Sequence, residues 1–545
     1  MDTNNYRISY LVRKELENFP IDIQNKIINS LKILLWKRFW LYDFSIQEDN
    51  KLKISKSEFL EAISLISESN IWKEKKWAYY TNNDICNYIV RQSIALKYWK
   101  DNNFDINYDN KFSLSKLKKI EELLYTSSFF DPTCWSWHFM ISVFSIKYLI
   151  LSQSKKNIKD DEILSITKTI FWNDYDFIAS DICKIRFFFF ILDKLQNLEN
   201  ITSLAKIINS NCFCIDYISD SIKIKKKFNF LVWNPPYVEY SKYEWNINNN
   251  YWNVYADILD NWCKHLEKWG ILWFIIPISY IATPRMFKIR DKIENFSEKE
   301  YILSFADRPD CLFKWVHQKL NILLAQEWEW KCNIYTSNYN YRYKNERASL
   351  FSKITVTENK IGFNWYLAKF WNKLENSILN KIISLNDSNN IYSLQDKNWK
   401  DLYLWMRAAF WIKAFSFNPG SNEYKNFKYN KSIYYFILSL LNSSLFRFYW
   451  VCVSDCWHIT QKELKWIKIP VDIIKDNDIF RKLYINLENQ LEKTKEYVWT
   501  VQTEYEYKHK KCKEYIDKID DEIWRIYWLS NEEISYIKTF ALDYR

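Results

Sequence analysis

The sequence predicts an α/β fold in which helices cover both faces of a mostly parallel sheet. Three runs rich in β-branched and aromatic residues, 166–171, 228–232 and 271–276, are typical of strands. Apolar residues at helical spacing occupy intervening segments, for example 139–151 and 258–266. Strands that alternate with helices favour a parallel sheet, because each helix returns the chain to the same end of the sheet.

The composition suits a globular protein with a polyanionic partner. Of the 545 residues, 48% are hydrophobic and 26% are charged, which excludes a disordered chain and gives room for roughly two to four domains. Lys and Arg number 77 against 66 Asp and Glu, and the net charge of +11 suits nucleic acid. No apolar run approaches the roughly 18 residues of a membrane helix, and no signal peptide precedes the 11 cysteines. We therefore expect a cytoplasmic protein with reduced thiols and no membrane segment.

Changes in composition divide the chain into four segments. Residues 1–75 show the apolar spacing of helices, and residues 76–345 carry the alternation of strands and helices. Residues 346–480 are richer in Asn, Ser, Tyr and Lys and lack this alternation, so we expect a separate domain there. Residues 481–545 are strongly charged and have a helical pattern.

The balance of glycine and tryptophan is abnormal. The chain has 3 glycines and 28 tryptophans, whereas ordinary usage of about 7% would give about 38 glycines. Tight turns and left-handed helix ends need a residue without a Cβ atom. Some bacterial lineages read the UGA codon as glycine, and another common code reads it as tryptophan. We hypothesise that most of these tryptophans stand for glycine in the natural protein; the alternative is a chain that is truly rich in tryptophan.

The first motif is a loop between a predicted strand and a predicted helix. The segment from Asp131 to Phe139 reads D-P-T-C-W-S-W-H-F, and it becomes D-P-T-C-G-S-G-H-F if Trp135 and Trp137 are glycine. A loop of small residues at a helix N-terminus brings backbone N–H groups close to an anionic ligand. As written, with two tryptophans, the segment could instead be a plain aromatic turn.

The second motif is Asn234-Pro235-Pro236-Tyr237, directly after the predicted strand 228–232. The end of such a strand is where open α/β sheets bind their ligands. The prolines stiffen the turn, so the Asn234 amide oxygen and the Pro235 carbonyl can together hold an amino group. The Tyr237 ring can stack on a nucleobase. The alternative is a rigid surface turn without a ligand.

In this order, the two motifs resemble those of the adenine-specific DNA methyltransferases of bacterial restriction–modification systems, in the gamma arrangement. That family has D-P-x-C-G-S-G as its cofactor loop and N-P-P-Y as its catalytic loop, and the resemblance covers roughly residues 70–545. It implies a Rossmann-like class I methyltransferase domain with a mixed, mostly parallel sheet over 76–345. It also implies a separate target-recognition domain over 346–480 and helical termini at 1–75 and 481–545.

The resemblance assigns a site for S-adenosyl-L-methionine. Asp174, after a strand, would accept the ribose hydroxyls, and Asp216 would accept the adenine amine. W-A-Y-Y-T, which ends at Thr81, resembles the segment that contacts the methionine part. The expected cofactor-binding residues are Tyr80, Thr81, Asp131, Pro132, Cys134, Trp135, Trp137, Asp174 and Asp216.

The implied reaction transfers a methyl group from the cofactor to the N6 amine of an adenine flipped out of double-stranded DNA. The residues expected to be catalytic are Asn234, Pro235, Pro236 and Tyr237, and Phe313 is the candidate for a contact to the target base. No metal is expected, because no second Cys/His cluster completes a tetrahedral site with Cys452, Cys456 and His458. A restriction endonuclease, if one takes part, would be a separate subunit.

Two other classes of function stay open. N-P-P-Y also occurs in methyltransferases that act on RNA or on a protein glutamine, although the long recognition region favours DNA. A non-catalytic DNA-specificity subunit belongs to a different class. The intact Asn234, Pro235 and Tyr237 argue against it.

Overall fold

The computed structural model describes residues 3–44, 55, 57–63, 81–98, 114–115, 117, 119–134, 138–240, 251–313, 317–328, 332–363, 366–385, 389–408, 410–474, 477–500 and 503–545. Three residues that the sequence assigns to the cofactor site, Tyr80, Trp135 and Trp137, lie outside this part of the chain.

A nine-stranded mixed sheet forms the centre of the molecule. Its strands follow the order β3-β2-β1-β4-β5-β7-β6-β8-β9. The first five are parallel, β7 is antiparallel to both β5 and β6, β8 is parallel to β6, and β9 is antiparallel to β8. The strands are β1 (Phe129–Asp131), β2 (Ile170–Asn173), β3 (Cys212–Phe213), β4 (Phe228–Trp233), β5 (Leu266–Pro277), β6 (Ser297–Phe305), β7 (Leu320–Glu327), β8 (Asn333–Asn340) and β9 (Thr357–Glu358).

Two of the three predicted strands are confirmed, and the third is largely wrong. The runs 228–232 and 271–276 lie in β4 and β5. In the run 166–171, the strand begins only at Ile170, because a helix continues through Thr167. Ile163, Ile166 and Thr167 are buried at helical spacing, so the first part of this run packs as one helix face.

Helices flank the sheet, as the alternating pattern predicts. The run 139–151 is confirmed, since it lies within one helix. The run 258–266 is wrong at its end, where the His265 carbonyl accepts a hydrogen bond from the Phe228 N–H at 2.8 Å and Leu266 begins β5. The helices are α1 (Thr3–Leu16), α2 (Ile21–Leu35), α3 (Asn83–Tyr98), α4 (Ile120–Tyr125), α5 (His138–Ser154), α6 (Asp160–Thr167), α7 (Phe177–Leu192), α8 (Ile201–Asn211), α9 (Tyr217–Asp220), α10 (Val254–Trp262), α11 (Ser279–Ala282) and α12 (Phe287–Phe296).

The N-terminal helices pack on the helical layer of the sheet. Helix α2 buries Ile23, Ile27, Leu31 and Leu34 and lies against α7 and α8. Arg38, in the 3-10 helix that follows α2, pairs with the buried Asp181 of α7. The helical pattern predicted for 1–75 is confirmed for the described residues of that segment.

The C-terminal half combines short sheets and helices. Its strands are β10 (Gly362–Phe363), β11 (Tyr366–Leu367), β12 (Gln395–Trp405), β13 (Ala414–Phe415), β14 (Tyr424–Tyr429), β15 (Glu496–Tyr497) and β16 (Tyr505–Glu506). Its helices are α13 (Lys373–Ile383), α14 (Tyr434–Asn442), α15 (Ser444–Val453), α16 (Gln461–Trp466), α17 (Asn477–Thr494), α18 (Lys513–Ile526) and α19 (Asn531–Thr539). One apolar core joins this half to a face of the central sheet. Strand β9 of that sheet lies beyond residue 345, where the sequence places the end of the catalytic domain. The division into a separate recognition domain stays a prediction.

Helices α14 and α15 are the most apolar pair of the C-terminal half. Within the described residues, no single helix has the length and hydropathy needed to cross a membrane. This pair, bent by 65°, meets the requirement by length and composition alone. Most of its side chains are buried among other helices.

Candidate active site

The two sequence motifs lie side by side at one edge of the sheet. Strand β1 pairs in parallel with β4 on one side and β2 on the other, with Phe129 opposite Phe230 and Ile170. The carboxyl ends of the three strands therefore meet at the same edge. Asp131 ends β1, and Asn234 directly follows β4.

Asp131 is buried at the end of β1. Its Oδ1 accepts a hydrogen bond from the Thr133 N–H at 3.1 Å, whereas its buried Oδ2 has no hydrogen-bond partner among the described residues. Burial raises the pKa of this carboxyl well above its usual range, and the charge of Asp174 adds to the effect. The Trp233 indole N–H donates to Thr133 Oγ1, so the end of β4 contacts the loop after β1.

Asp174 faces the same loop from the end of β2. Its Oδ1 accepts from the Asp176 N–H at 2.9 Å, and the Cys134 thiol lies 3.8 Å from its Oδ2. Cys134 is fully buried, and its Sγ is 3.2 Å from the Sγ of Cys183 on α7. Burial raises the pKa of the Cys134 thiol, which therefore stays protonated. The loop after β1 thus packs against the acidic end of β2.

Asn173 is a site residue that the sequence analysis missed. Its Nδ2 donates to the Pro132 carbonyl at 2.9 Å and to the Ile215 carbonyl at 3.1 Å, and its Oδ1 accepts from the Ile215 N–H at 3.1 Å. One side chain therefore links the loops after β1 and β3. The available signal was its position directly before Asp174, two residues beyond the predicted strand run 166–171.

Asp216 lies on the third of these loops, after β3. Its Oδ1 accepts from the Ile218 N–H at 2.9 Å and caps α9. Through Asn173 and Ile215, this loop is tied to the loop of Asp131. The structure therefore brings Asp131, Asp174 and Asp216 to one edge of the sheet, and their roles toward a cofactor stay predictions.

The N-P-P-Y turn is tied to two neighbouring elements. The Asn234 Nδ2 donates to Thr81 Oγ1 at 3.0 Å, and Thr81 is fully buried. The Tyr237 hydroxyl donates to Asn234 Oδ1, and it lies 3.1 Å from the Ile275 carbonyl of β5. Pro235 is buried, whereas Pro236 is partly exposed. Thr81, Asn234 and Tyr237 thus form one contiguous group, which joins a residue expected at the cofactor to two expected to be catalytic.

A cavity of about 310 Å³ opens beside Tyr237, near the lower limit for small-ligand sites. Its wall includes Tyr237, Asn253, Pro277, Ser279, Met286, Gln318 and the ion pair Glu239–Arg285. Phe313 is 1% exposed in the apolar core and is not one of the cavity residues. Its expected contact with a target base stays a prediction.

The chain is similar in structure, and not in sequence, to proteins of known fold. No protein-family model and no curated protein sequence matches it. The Type IIL restriction–modification enzyme MmeI, solved in complex with DNA, is 11% identical with a TM-score of 0.54, over 95% of this chain and 90% of that chain. The chain shares the fold of MmeI. The mixed sheet and its flanking helices confirm the Rossmann-like class I methyltransferase fold implied by the sequence motifs.

Two further similarities are more distant. The DrdV–DNA complex is 11% identical with a TM-score of 0.43, over 65% of this chain. The Type I restriction enzyme EcoKI M protein is 13% identical with a TM-score of 0.33, over 64% of this chain and 69% of that chain. This chain spans only 38% of the length of the DrdV chain.

Proposed function

We propose that the protein is an S-adenosyl-L-methionine-dependent DNA methyltransferase that modifies the N6 amine of adenine within a restriction–modification system. One observation carries the proposal. The loop after β1 and the N-P-P-Y turn after β4 adjoin at the carboxyl edge of the sheet, because β1 and β4 pair in parallel, and Thr81, expected at the cofactor, contacts Asn234 there. The fold shared with MmeI is compatible with this function and adds no residue-level support.

The residues around Asp131 fit the proposed cofactor. A buried carboxylate oxygen without a partner suits a ligand that brings hydrogen-bond donors and positive charge, and S-adenosyl-L-methionine carries an ammonium and a sulfonium. Asp174 would hold the ribose hydroxyls and Asp216 the adenine amine, with Pro132 and Cys134 in the adjoining loop. The bound cofactor would supply an electrophilic methyl group.

The N-P-P-Y turn would orient the target amine. The lone pair of an adenine amine is delocalised into the ring, so the nitrogen is a poor nucleophile. Asn234 Oδ1 and the Pro235 carbonyl would accept its hydrogens and favour a tetrahedral nitrogen as the new bond forms. The Tyr237 ring would stack on the base, which must leave the DNA helix to reach this edge. The contribution of these residues is therefore mainly positioning.

The partner would be double-stranded DNA, which suits the net charge of +11. Residues 346–480 would recognise the target sequence in the cytoplasm, and a restriction endonuclease, if one takes part, would be a separate subunit. Incubation with methyl-labelled cofactor tests the proposal. We expect label in genomic DNA from a host without adenine methylation, at N6 of adenine after digestion to nucleosides. Label that enters only RNA or protein would support the alternative methyltransferases, and no transfer would support a specificity subunit.

We also propose that many tryptophans of this chain are glycine in the natural protein. Among the described residues, six that are not glycine have a positive φ, and three of these are Trp269, Trp499 and Trp528. This conformation is rare for bulky residues. In the same part of the chain, Trp172, Trp262, Trp273 and Trp405 also bury an indole N–H that has no hydrogen-bond partner among the described residues. Peptide mass spectrometry of the natural protein tests this, and tryptophan at 269 and 528 would refute it.

A further inference from the structure

An ion pair lies on the wall of the cavity beside Tyr237. Arg285 Nη2 is 3.2 Å from Glu239 Oε1, and the two side chains are 42% and 43% exposed. Glu239 follows Tyr237 by two residues. Arg285 belongs to the 3-10 turn Pro284–Met286, between α11 and α12. A cation and an anion therefore face each other where a nucleotide would enter the proposed active site.

The backbone holds both partners independently of their pairing. The segment 238–240 pairs with 252–254, through hydrogen bonds from the Val254 N–H to the Val238 carbonyl at 3.0 Å and from the Tyr240 N–H to the Trp252 carbonyl at 3.3 Å. Arg290 donates to the Thr283 carbonyl at 3.2 Å and supports the turn that carries Arg285. The backbone positions of Glu239 and Arg285 therefore do not depend on the contact between their side chains.

The ion pair is easily exchanged for a contact with phosphate. An exposed pair contributes little to stability, because water and salt screen it. A guanidinium presents a planar fork of donors that matches phosphate oxygens, and a phosphodiester carries the same charge as the Glu239 carboxylate. A cavity of about 310 Å³ excludes a duplex but is in the size range of a small ligand, and its Asn253 and Gln318 are polar groups suited to a base edge.

We propose that Arg285 binds a backbone phosphate beside the extruded nucleotide, and that Glu239 occupies the guanidinium when no DNA is bound. The inference rests on the proposed function, because it takes the cavity beside Tyr237 as the entry of the target nucleotide. Glu239 then acts as an internal competitor of DNA. Removal of its charge strengthens DNA binding, whereas removal of the Arg285 charge weakens it.

The test compares two DNA probes, a short duplex with one unpaired adenine and the same duplex fully paired. Binding is measured by fluorescence anisotropy over a range of salt concentrations. Arg285→Gln is expected to weaken binding of the first duplex about tenfold and to reduce the slope of log affinity against log salt by about 0.9. Its effect on the fully paired duplex is expected to be smaller. Arg285→Lys keeps the slope but loses part of the affinity, and Glu239→Gln increases the affinity.

Lys155→Gln is the matched control. Lys155 directly follows helix α5 and pairs with Glu162, toward the edge of the sheet opposite to the proposed active site. Removal of its charge is expected to leave the slope of log affinity against log salt unchanged for both duplexes. Cofactor binding by each variant verifies folding. Equal effects of Arg285→Gln on the two duplexes, or weaker binding by Glu239→Gln, would overturn the inference. If the unaltered protein methylates adenine but Arg285→Gln binds both duplexes with the affinity of the unaltered protein, this inference alone fails. If the unaltered protein transfers no methyl group, the proposed function fails.

Discussion

The amide of Asn234 has a fixed partner at each end. Thr81 Oγ1 accepts from its Nδ2 at 3.0 Å, and the Tyr237 hydroxyl donates to its Oδ1. Asn234→Ala removes the proposed acceptor of the target amine but leaves Asp131 and Asp174 in place. We expect the rate of methyl transfer to fall by about a factor of 10³, the size of effect seen when one stabilising polar group is removed from a transition state. Single-turnover assays with labelled cofactor measure this rate.

The control for Asn234→Ala is Asn157→Ala, an exposed asparagine between α5 and α6 that has no proposed role. Cofactor affinity, measured by calorimetry, is expected to be unchanged in both variants. An Asn234→Ala protein that methylates DNA at the normal rate would contradict the assigned role of this amide.

The site could be predicted from the sequence only where chemistry follows from a contiguous motif. Asp131, Asn234 and Tyr237 were found because each belongs to a short, recognisable segment. Asn173 was missed, since its hydrogen bonds to the Pro132 and Ile215 carbonyls depend on how three strands align. The cavity beside Tyr237 was missed for the same reason, because its wall comes from four segments distant in sequence.

At the scale of elements, long apolar runs identified β4 and β5, which are buried along most of their length. Strands β3 and β9 have two residues each, too few for any periodicity, and they depend on pairing with a neighbour. The first part of the run 166–171 has the composition of a strand but forms a helix, because burial of one helix face outweighs β-propensity there. Tertiary contacts, and not local preference, therefore decided the elements that were missed.

The end of helix α18 has the geometry of a glycine position. Trp528 follows the helix with φ 50°, and the Leu529 N–H donates to the Trp524 carbonyl at 3.0 Å, as in a Schellman motif. Its side chain is 57% exposed and therefore contributes little packing. We expect Trp528→Gly to raise the free energy of unfolding by about 1 kcal/mol, because a residue with a Cβ atom is strained in the left-handed region. Urea denaturation measures the change.

Trp40→Gly is the matched control for this substitution. Trp40 is 77% exposed but lies in the 3-10 helix Trp36–Leu41, where glycine brings no relief of strain. We expect this variant to be less stable by about 0.5–1 kcal/mol. A loss of stability in Trp528→Gly as large as in Trp40→Gly would contradict a glycine at position 528.

Glu300 places a carboxyl group inside β6 of the central sheet. It is 1% exposed, its Oε1 has no hydrogen-bond partner among the described residues, and burial raises its pKa to about 8. The folded chain therefore holds this proton more tightly than the unfolded chain does. The contribution of this proton to the free energy of unfolding is fully present below the unfolded pKa of about 4.5. It is lost as pH rises toward 8, which lowers the free energy of unfolding by up to about 5 kcal/mol.

We expect Glu300→Gln to remove this loss of stability between pH 5 and pH 8, because the amide carries no charge to desolvate. Urea denaturation at successive pH values compares it with the unaltered protein. Glu298→Gln, two residues earlier on the same strand and partly exposed, is the control and should keep the original dependence. Parallel pH profiles for the Glu300→Gln and unaltered proteins would show that this carboxyl does not govern the effect.

At the scale of the whole molecule, the net charge of +11 has a consequence for DNA binding that depends on where the charge lies. Three exposed lysines lie within the segment 346–480: Lys400 in β12, Lys425 in β14 and Lys431 in the turn after β14. If this segment binds phosphates, each lost lysine removes about 0.9 from the slope of log affinity against log salt. The triple Lys→Gln variant is therefore expected to reduce the slope by about 2 to 3 for duplex DNA.

An equal number of exposed lysines at the opposite edge of the central sheet, Lys155, Lys156 and Lys159, supplies the control. An affinity of the unaltered protein that is indifferent to salt, or equal slopes for the two triple variants, would place the DNA elsewhere on the molecule.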